Sequence, residues 1–288
     1  MDLEQSEAGA AGFYRGLEIV AGYMQSVSGL VQGVTVLPRP ATRHRDESLS
    51  GLWYRSWGWI QSLKLLNSTK HVQAHLTGNR ALLEIATDMI LLHRDPTNKL
   101  GWMYVQWGQS EKWKAAEQTI NFYAGQGLPV PELHEDTEKF YKDYAASVAD
   151  TRRNLWPDKK DSSKGLHPAR WTGRSDLSRD VEEADRVYGA EINVDLDMSL
   201  TEYYRTEYRR MNWLIHSGAP GWWNIEAPGI SIMSGLSLRA SATLAMLCTK
   251  VMLLDAGYNH AIEDLRRQWE KVNDDRNWVF FNPELPGE

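Results

Sequence analysis

The residues best equipped for chemistry lie in the stretch YYRTEYRRMNWLIHSGAPGWW, residues 203 to 223. At about 100° per residue, Arg205, Arg209, Asn212 and His216 fall within an arc of roughly 60°. Leu200, Tyr204, Tyr208, Met211, Leu214 and Ile215 occupy the opposite side, so the pattern predicts a helix with one buried aromatic and aliphatic face. Trp213 sits on the polar side beside Arg209, and a tryptophan among arginines suggests a face that meets a ligand or partner. Gly218, with Pro220 just beyond, is placed to end the helix. His216 then falls in the last turn, where unpaired carbonyls favour the imidazolium form and suit a general acid. The same residues would equally stabilise a solvated helix end without any chemistry.

A second polar stripe lies in NRALLEIATDMILLHRDP. Arg80, Glu84 and Thr87 share one side, with Asp88 at its edge, while Leu82, Leu83, Ile85, Ala86, Met89, Ile90 and Leu92 form the apolar arc. An arginine four residues before a glutamate is also an ordinary helix pair. HVQAH puts His71 and His75 one turn apart, but Val72 stands where a zinc-protease helix carries its glutamate. No histidine follows a glutamate at the di-iron spacing, and no Walker loop, dinucleotide fingerprint or nucleophile elbow occurs. The expectation is therefore a site without metal or cofactor.

These stripes need elements to hold them, and nearly every long segment carries a helical period. The 288 residues are 42% apolar and 24% charged, with 13 Trp and 12 Tyr against 5 Phe. Aromatics with a polar handle serve both core anchoring and recognition. Helices are predicted over about 3–34, 51–70, 77–94, 97–125, 131–155, 178–189, the segment around 203–217, 231–256 and on to 273. Asp95-Pro96 and GQGLPVP act as breakers, and PDKKDSSKGLHPARWTGRSD reads as a polar loop. We read one all-α, bundle-like domain of roughly eight helices. Its core spans about 51–273, with the 3–34 helix and a Pro-containing linker at 37–50 peripheral.

The lone cysteine, Cys248, excludes an intrachain disulfide and a multi-cysteine zinc site and reads as a small core residue. The acidic start MDLEQSEAGAAG lacks the features of a secretory signal. The most apolar run, 236–254, is interrupted by Arg239, Ser241, Thr243, Thr249 and Lys250, so no membrane span is expected. A cytoplasmic location follows as the expectation. The formal net charge of −6 argues against coating nucleic acid through many phosphate contacts, yet leaves room for one local basic pocket.

The order of elements resembles a widespread, uncharacterised bacterial family of all-helical domains. The match runs from the Arg80-x3-Glu84 helix, through ARWTGRSDL and SRDVEEADRVYG, to a Tyr-rich helix ending in His-Ser-Gly, and covers roughly residues 50 to 260. The last helix is also similar to the signature of HEPN domains, an arginine followed four to six residues later by a histidine. Both Arg209 and Arg210 satisfy that count, and Arg209 lies about 20° from His216 around the helix, against about 120° for Arg210. The resemblance implies metal-independent RNA cleavage, possible involvement in toxin–antitoxin or antiviral defence, and a homodimer whose sites form where two such helices meet. On that carry-over His216 transfers the proton and Arg209 contacts phosphate. Asn212 orients, and Arg205, Arg80, Glu84 and Trp213 support the pocket or bind substrate. The alternative reading is a non-catalytic binding or regulatory protein that engages a protein partner through its Trp-rich surface, including Trp53, Trp57 and Trp59.

Overall fold

The computed structural model describes residues 3–36, 39–66, 68, 71–129, 170–174, 176–196, 199–216 and 227–273. Eight helices carry them, with no strand among the described residues: α1 Leu3–Val36, α2 Arg43–Leu65, α3 Val72–His93, α4 Lys99–Gly125 and α5 Leu177–Leu196 come first. The sixth, α6, joins Leu200–Tyr203, a π turn at Tyr204–Tyr208, and Arg209–His216; α7 Ala227–Asp255 and α8 Asn259–Asn273 follow. The all-α expectation holds. The helix predicted at 131–155 and most of the polar loop at 157–176 lie outside the described residues.

The core centres on α3 and α7, which share the most extensive interface. Every residue from Ser241 to Thr249 is buried, as expected of a helix that is apolar all round. The window Met233–Asp255 is long and apolar enough to cross a membrane, and 78% of it is buried inside the bundle. Cys248 is one of these core residues, and burial raises its thiol pKa to about 12. A polar seam sets the register between α3 and α7. The His75 Nε2–H donates to the Leu66 carbonyl at 2.8 Å, so in the neutral ring Nδ1 accepts from Ser234 Oγ at 2.5 Å. Burial lowers the pKa of His75. With both nitrogens occupied by protein groups, its HVQAH spacing serves packing. Asn79 continues the seam, donating to the Ser237 carbonyl at 3.0 Å and accepting from the Tyr203 hydroxyl at 2.6 Å.

Two boundary expectations are corrected. The first helix is not peripheral: Leu17, Val20, Met24 and Val31 are fully buried, and the Tyr23 hydroxyl donates to the Ala261 carbonyl on α8 at 3.0 Å. Its glycines lower intrinsic propensity, and tertiary burial outweighs that penalty. The stretch assigned to a linker instead holds a short 3₁₀ turn, Pro40–Thr42, and the first two turns of α2. Three of its charged residues, Arg39, Arg45 and Asp46, join an ionic knot whose carboxylates are buried. Asp46 accepts from Arg39 and Thr42, while Asp255 at the end of α7 meets Arg39, Arg45 and His93.

Two glycines have fixed roles here. A Cβ on Gly101 would stand 2.3 Å from the Arg45 backbone nitrogen, so α2 and α4 touch backbone to backbone at that point. Gly257 adopts φ 77° and ends α7 in a Schellman motif, with Tyr258 N–H donating to Leu253 O and Gly257 N–H to Leu254 O.

Candidate functional site

Helix α6 starts at a well-capped end. Ser199 Oγ accepts from the Glu202 N–H at 3.0 Å, and Asp185 on α5 accepts from the N–H groups of Leu200 and Thr201. The π turn then changes the phase of the helix. On a regular α-helical wheel, residues five apart diverge by about 140°. Across a π turn they share a face, because its hydrogen bonds run from i to i+5. Tyr203 and Tyr208 are five apart and both face α3, the first bonded to Asn79 and the second to Glu84.

The result is a compact cluster at the open edge of the α3–α6 contact. The Tyr208 hydroxyl donates to Glu84 Oε1 at 2.9 Å, and Arg80 Nε reaches the same oxygen at 3.3 Å. The Arg80 guanidinium lies over the Tyr208 ring, 5.4 Å from its centre, a cation–π geometry. Tyr204 stacks on Tyr208 with ring centres 4.8 Å apart. Arg80 and Glu84 each keep 34% side-chain exposure, so solvent and ligands reach them. Burial, followed by the neighbouring Glu84 charge, pushes the Tyr208 hydroxyl up to about 12, which keeps it protonated as a donor.

One turn further along α3 the cluster continues inward. Asp88 is buried and accepts from Trp171 Nε1 at 2.9 Å and from Arg170 Nη2. Arg170 Nε also donates to Asp180 in the first turn of α5, where Thr172 and Arg174 converge too. Burial pushes the Asp88 carboxyl up to about 6; Arg170 and Trp171 oppose that shift, and the negative charges of Asp180 and Glu84 add to it. Tyr104 packs edge-on against Trp171, closing the buried side.

The predicted site residues divide among these surroundings. Arg80 and Glu84 lie in the cluster. Arg209 is exposed and makes no hydrogen bond or ion pair among the described residues. The Tyr204 hydroxyl feels the charges of Arg209, Asp176, Glu84 and Arg80, although burial is the larger influence on it. Arg205 is engaged with Glu182 on α5 at 3.0 Å. Asn212 is half-buried, and its Oδ1 is buried without a hydrogen-bond partner among the described residues. His216 ends the helix, seven residues from Arg209 in regular α-helix past the π turn. The side chains of His216 and Trp213 lie outside the described residues, as does the loop with Trp222 and Trp223. Of the tryptophans read as a recognition surface, Trp53 is fully buried and donates to Thr249 Oγ1 at 3.1 Å, while Trp57 and Trp59 pack half-buried against the core.

Tyr208, Arg170, Trp171 and Asp180 are the participants that periodicity missed. Tyr208 was placed on the apolar arc, where its ring does belong, but its hydroxyl is aimed at Glu84. The crowding of arginines and aspartates in ARWTGRSDLSRD was the one available signal for the others. No cluster of three or more His, Cys, Asp or Glu side chains with metal-binding geometry occurs among the described residues. The fold and site define an all-helical domain with an Arg–Glu–Tyr cluster at a π turn. Comparison with known proteins adds no relative: no family model, no curated protein and no solved structure matches the chain.

Proposed function

We propose that the chain is a HEPN-like, metal-independent endoribonuclease whose site lies along the α3–α6 edge. In this chemistry a ribose 2′-hydroxyl attacks the adjacent phosphate, and the leaving 5′-oxygen is protonated. His216 transfers the proton, Arg209 neutralises the charge developing on phosphate, and Asn212 orients the reacting groups. Arg80 and Glu84 form the inner wall with Tyr208, and Arg205 and Trp213 flank it. The observation that supports the reading is geometric: Tyr204 stacks on Tyr208, which bonds Glu84 beneath Arg80, and the exposed Arg209 is the next residue along the helix. A π turn at the same place adds weight, since such turns recur at functional sites. A homodimer that brings two α6 helices together completes the site.

Incubating end-labelled single-stranded RNA with the protein in excess EDTA tests this. Cleavage leaving 2′,3′-cyclic phosphate ends, abolished by His216→Ala, is the expected result. Equal cleavage by both proteins, or by neither, refutes it. The second reading, a non-catalytic binding protein, draws on the exposed aromatics of α4, with Trp102 and Phe122 facing solvent. It predicts no host toxicity from the wild-type chain, whereas a ribonuclease slows growth in a His216-dependent manner.

A further inference from the structure

Helices α2 and α4 are pinned where Gly101 meets the Arg45 backbone, and Asn98 Oδ1 caps the start of α2 there by accepting from the Arg45 N–H at 3.0 Å. Beyond that pinch the two helices enclose a cleft of about 350 Å³, within the size range of small-molecule sites. Its two walls have the same register. Five positions spaced i, i+1, i+4, i+5 and i+8 from Glu47 line it on α2, and the same five spacings from Tyr104 line it on α4. Both walls lie C-terminal to the pinch, so the helices run away from it in the same sense.

In the middle of each wall stands a glycine, Gly51 and Gly108, and a Cβ at either would meet nothing within 4 Å. The absent side chains leave the cleft open. Val105 supplies apolar surface beside them, backed by the nearly buried Leu52. At the far end of each wall stands a cation: Arg55, which reaches the Tyr104 hydroxyl, and Lys112. Near the pinch the one carboxylate among the described lining residues, Glu47, is drawn to Arg43 at 2.8 Å and so is already compensated. Ser48 also lines the cleft; it is 8% exposed, and its hydroxyl has no hydrogen-bond partner among the described residues. A buried hydroxyl left without a partner is costly, and a bound ligand group is one way to satisfy it.

We propose that the α2–α4 cleft binds a small organic anion. Its flat apolar body lies on Val105, backed by Leu52, between the two glycines, its carboxylate or phosphate meets Arg55 and Lys112, and a polar atom at its inner end pairs with Ser48. The cleft opens between α2 and α4, backs onto the α3–α6 cluster only through Tyr104, and does not depend on the ribonuclease reading.

Isothermal titration of the full chain, without RNA, with 2-naphthoate, 2-naphthyl phosphate and the neutral 2-naphthamide tests the proposal. Saturable binding of at least one anion, at least about tenfold tighter than the amide, is expected. Preference between the two anions identifies the head group. Arg55→Gln and Lys112→Gln, both surface changes that leave the core intact, should each weaken the anion at least about fivefold. Gly108→Leu should block all three probes, with circular dichroism reporting the fold. Absence of saturable anion binding, equal affinity for the amide, or binding unmoved by both charge variants would overturn it.

Discussion

Asp255 and Asp88 are both buried carboxylates in contact with arginine, yet they hold their protons differently. Burial works against the charge on Asp255, and the His93 hydrogen bond with Arg45 and Arg39 outweighs it, keeping the carboxyl below its ordinary value. That knot gathers three basic side chains around two carboxylates, Asp46 and Asp255. Around Asp88 the balance tips the other way. Burial dominates, Asp180 and Glu84 add negative charge, and Arg170 is divided between two carboxylates. A carboxylate held by several basic partners ties helix ends together. Under-compensated charge beside an accessible cluster is the pattern found where proteins do chemistry.

Breaking the knot should have the largest effect. Asp255→Ala removes the carboxylate shared by Arg39, Arg45 and His93, leaving Arg39 on Asp46 and Arg45 on the Asp95 carbonyl, and losing one partner of a buried ionic group costs about 3–5 kcal/mol. Urea unfolding followed by circular dichroism checks this, and a loss below about 1 kcal/mol would show that the knot is dispensable.

Asp88 sharpens the contrast through pH. Its folded pKa of about 6 lies above the ordinary 3.8, so the folded state binds that proton more tightly than the unfolded chain does. The stabilisation is complete below the ordinary value and is lost as pH rises through about 6. The difference in unfolding free energy between wild type and Asp88→Asn should therefore fall across that window, with a slope of up to about 1.4 kcal/mol per pH unit. Asp255 has the opposite sign, since its contribution is present above its unfolded pKa and lost as pH falls through its folded one. A flat difference for Asp88 would place it in the same class as Asp255.

Smaller effects belong to the open cluster. Tyr208→Phe removes one donor to a carboxylate that water still reaches, and should cost about 1 kcal/mol or less. Arg209→Ala touches no packed or paired group and should stay within about 0.5 kcal/mol of wild type. A large stability loss in either variant would mean that the edge is structural, like the knot.

The amphipathic wheels placed Leu200, Tyr208, Met211 and Leu214 on the buried face and Arg205 and Arg209 outside, as found. They missed Tyr203 because a wheel assumes one constant angle, and the change in hydrogen-bond span at a π turn leaves no trace in residue type. The Arg80–Glu84 pair was visible because it is local. The Asp88–Arg170 pair joins residues 82 positions apart, so no periodicity announces it. The buried ionic knot was hidden for a related reason: RPATRHRDES has the composition of a solvated linker, and only its partners on α3 and α7 reveal that the charges are internal. The cleft between α2 and α4 likewise depends on a pinch between Gly101 and Arg45 that local sequence does not specify.

The central claim is that the α3–α6 edge works on RNA while the Asp255 knot only holds the bundle together. The most direct measurement is the rate at which wild type and Arg209→Ala cleave the same labelled single-stranded RNA in EDTA, with the two proteins matched for stability. Loss of a transition-state charge contact predicts a fall of about 100-fold or more with the fold intact. Equal rates, or no cleavage by the wild-type protein, would contradict the account.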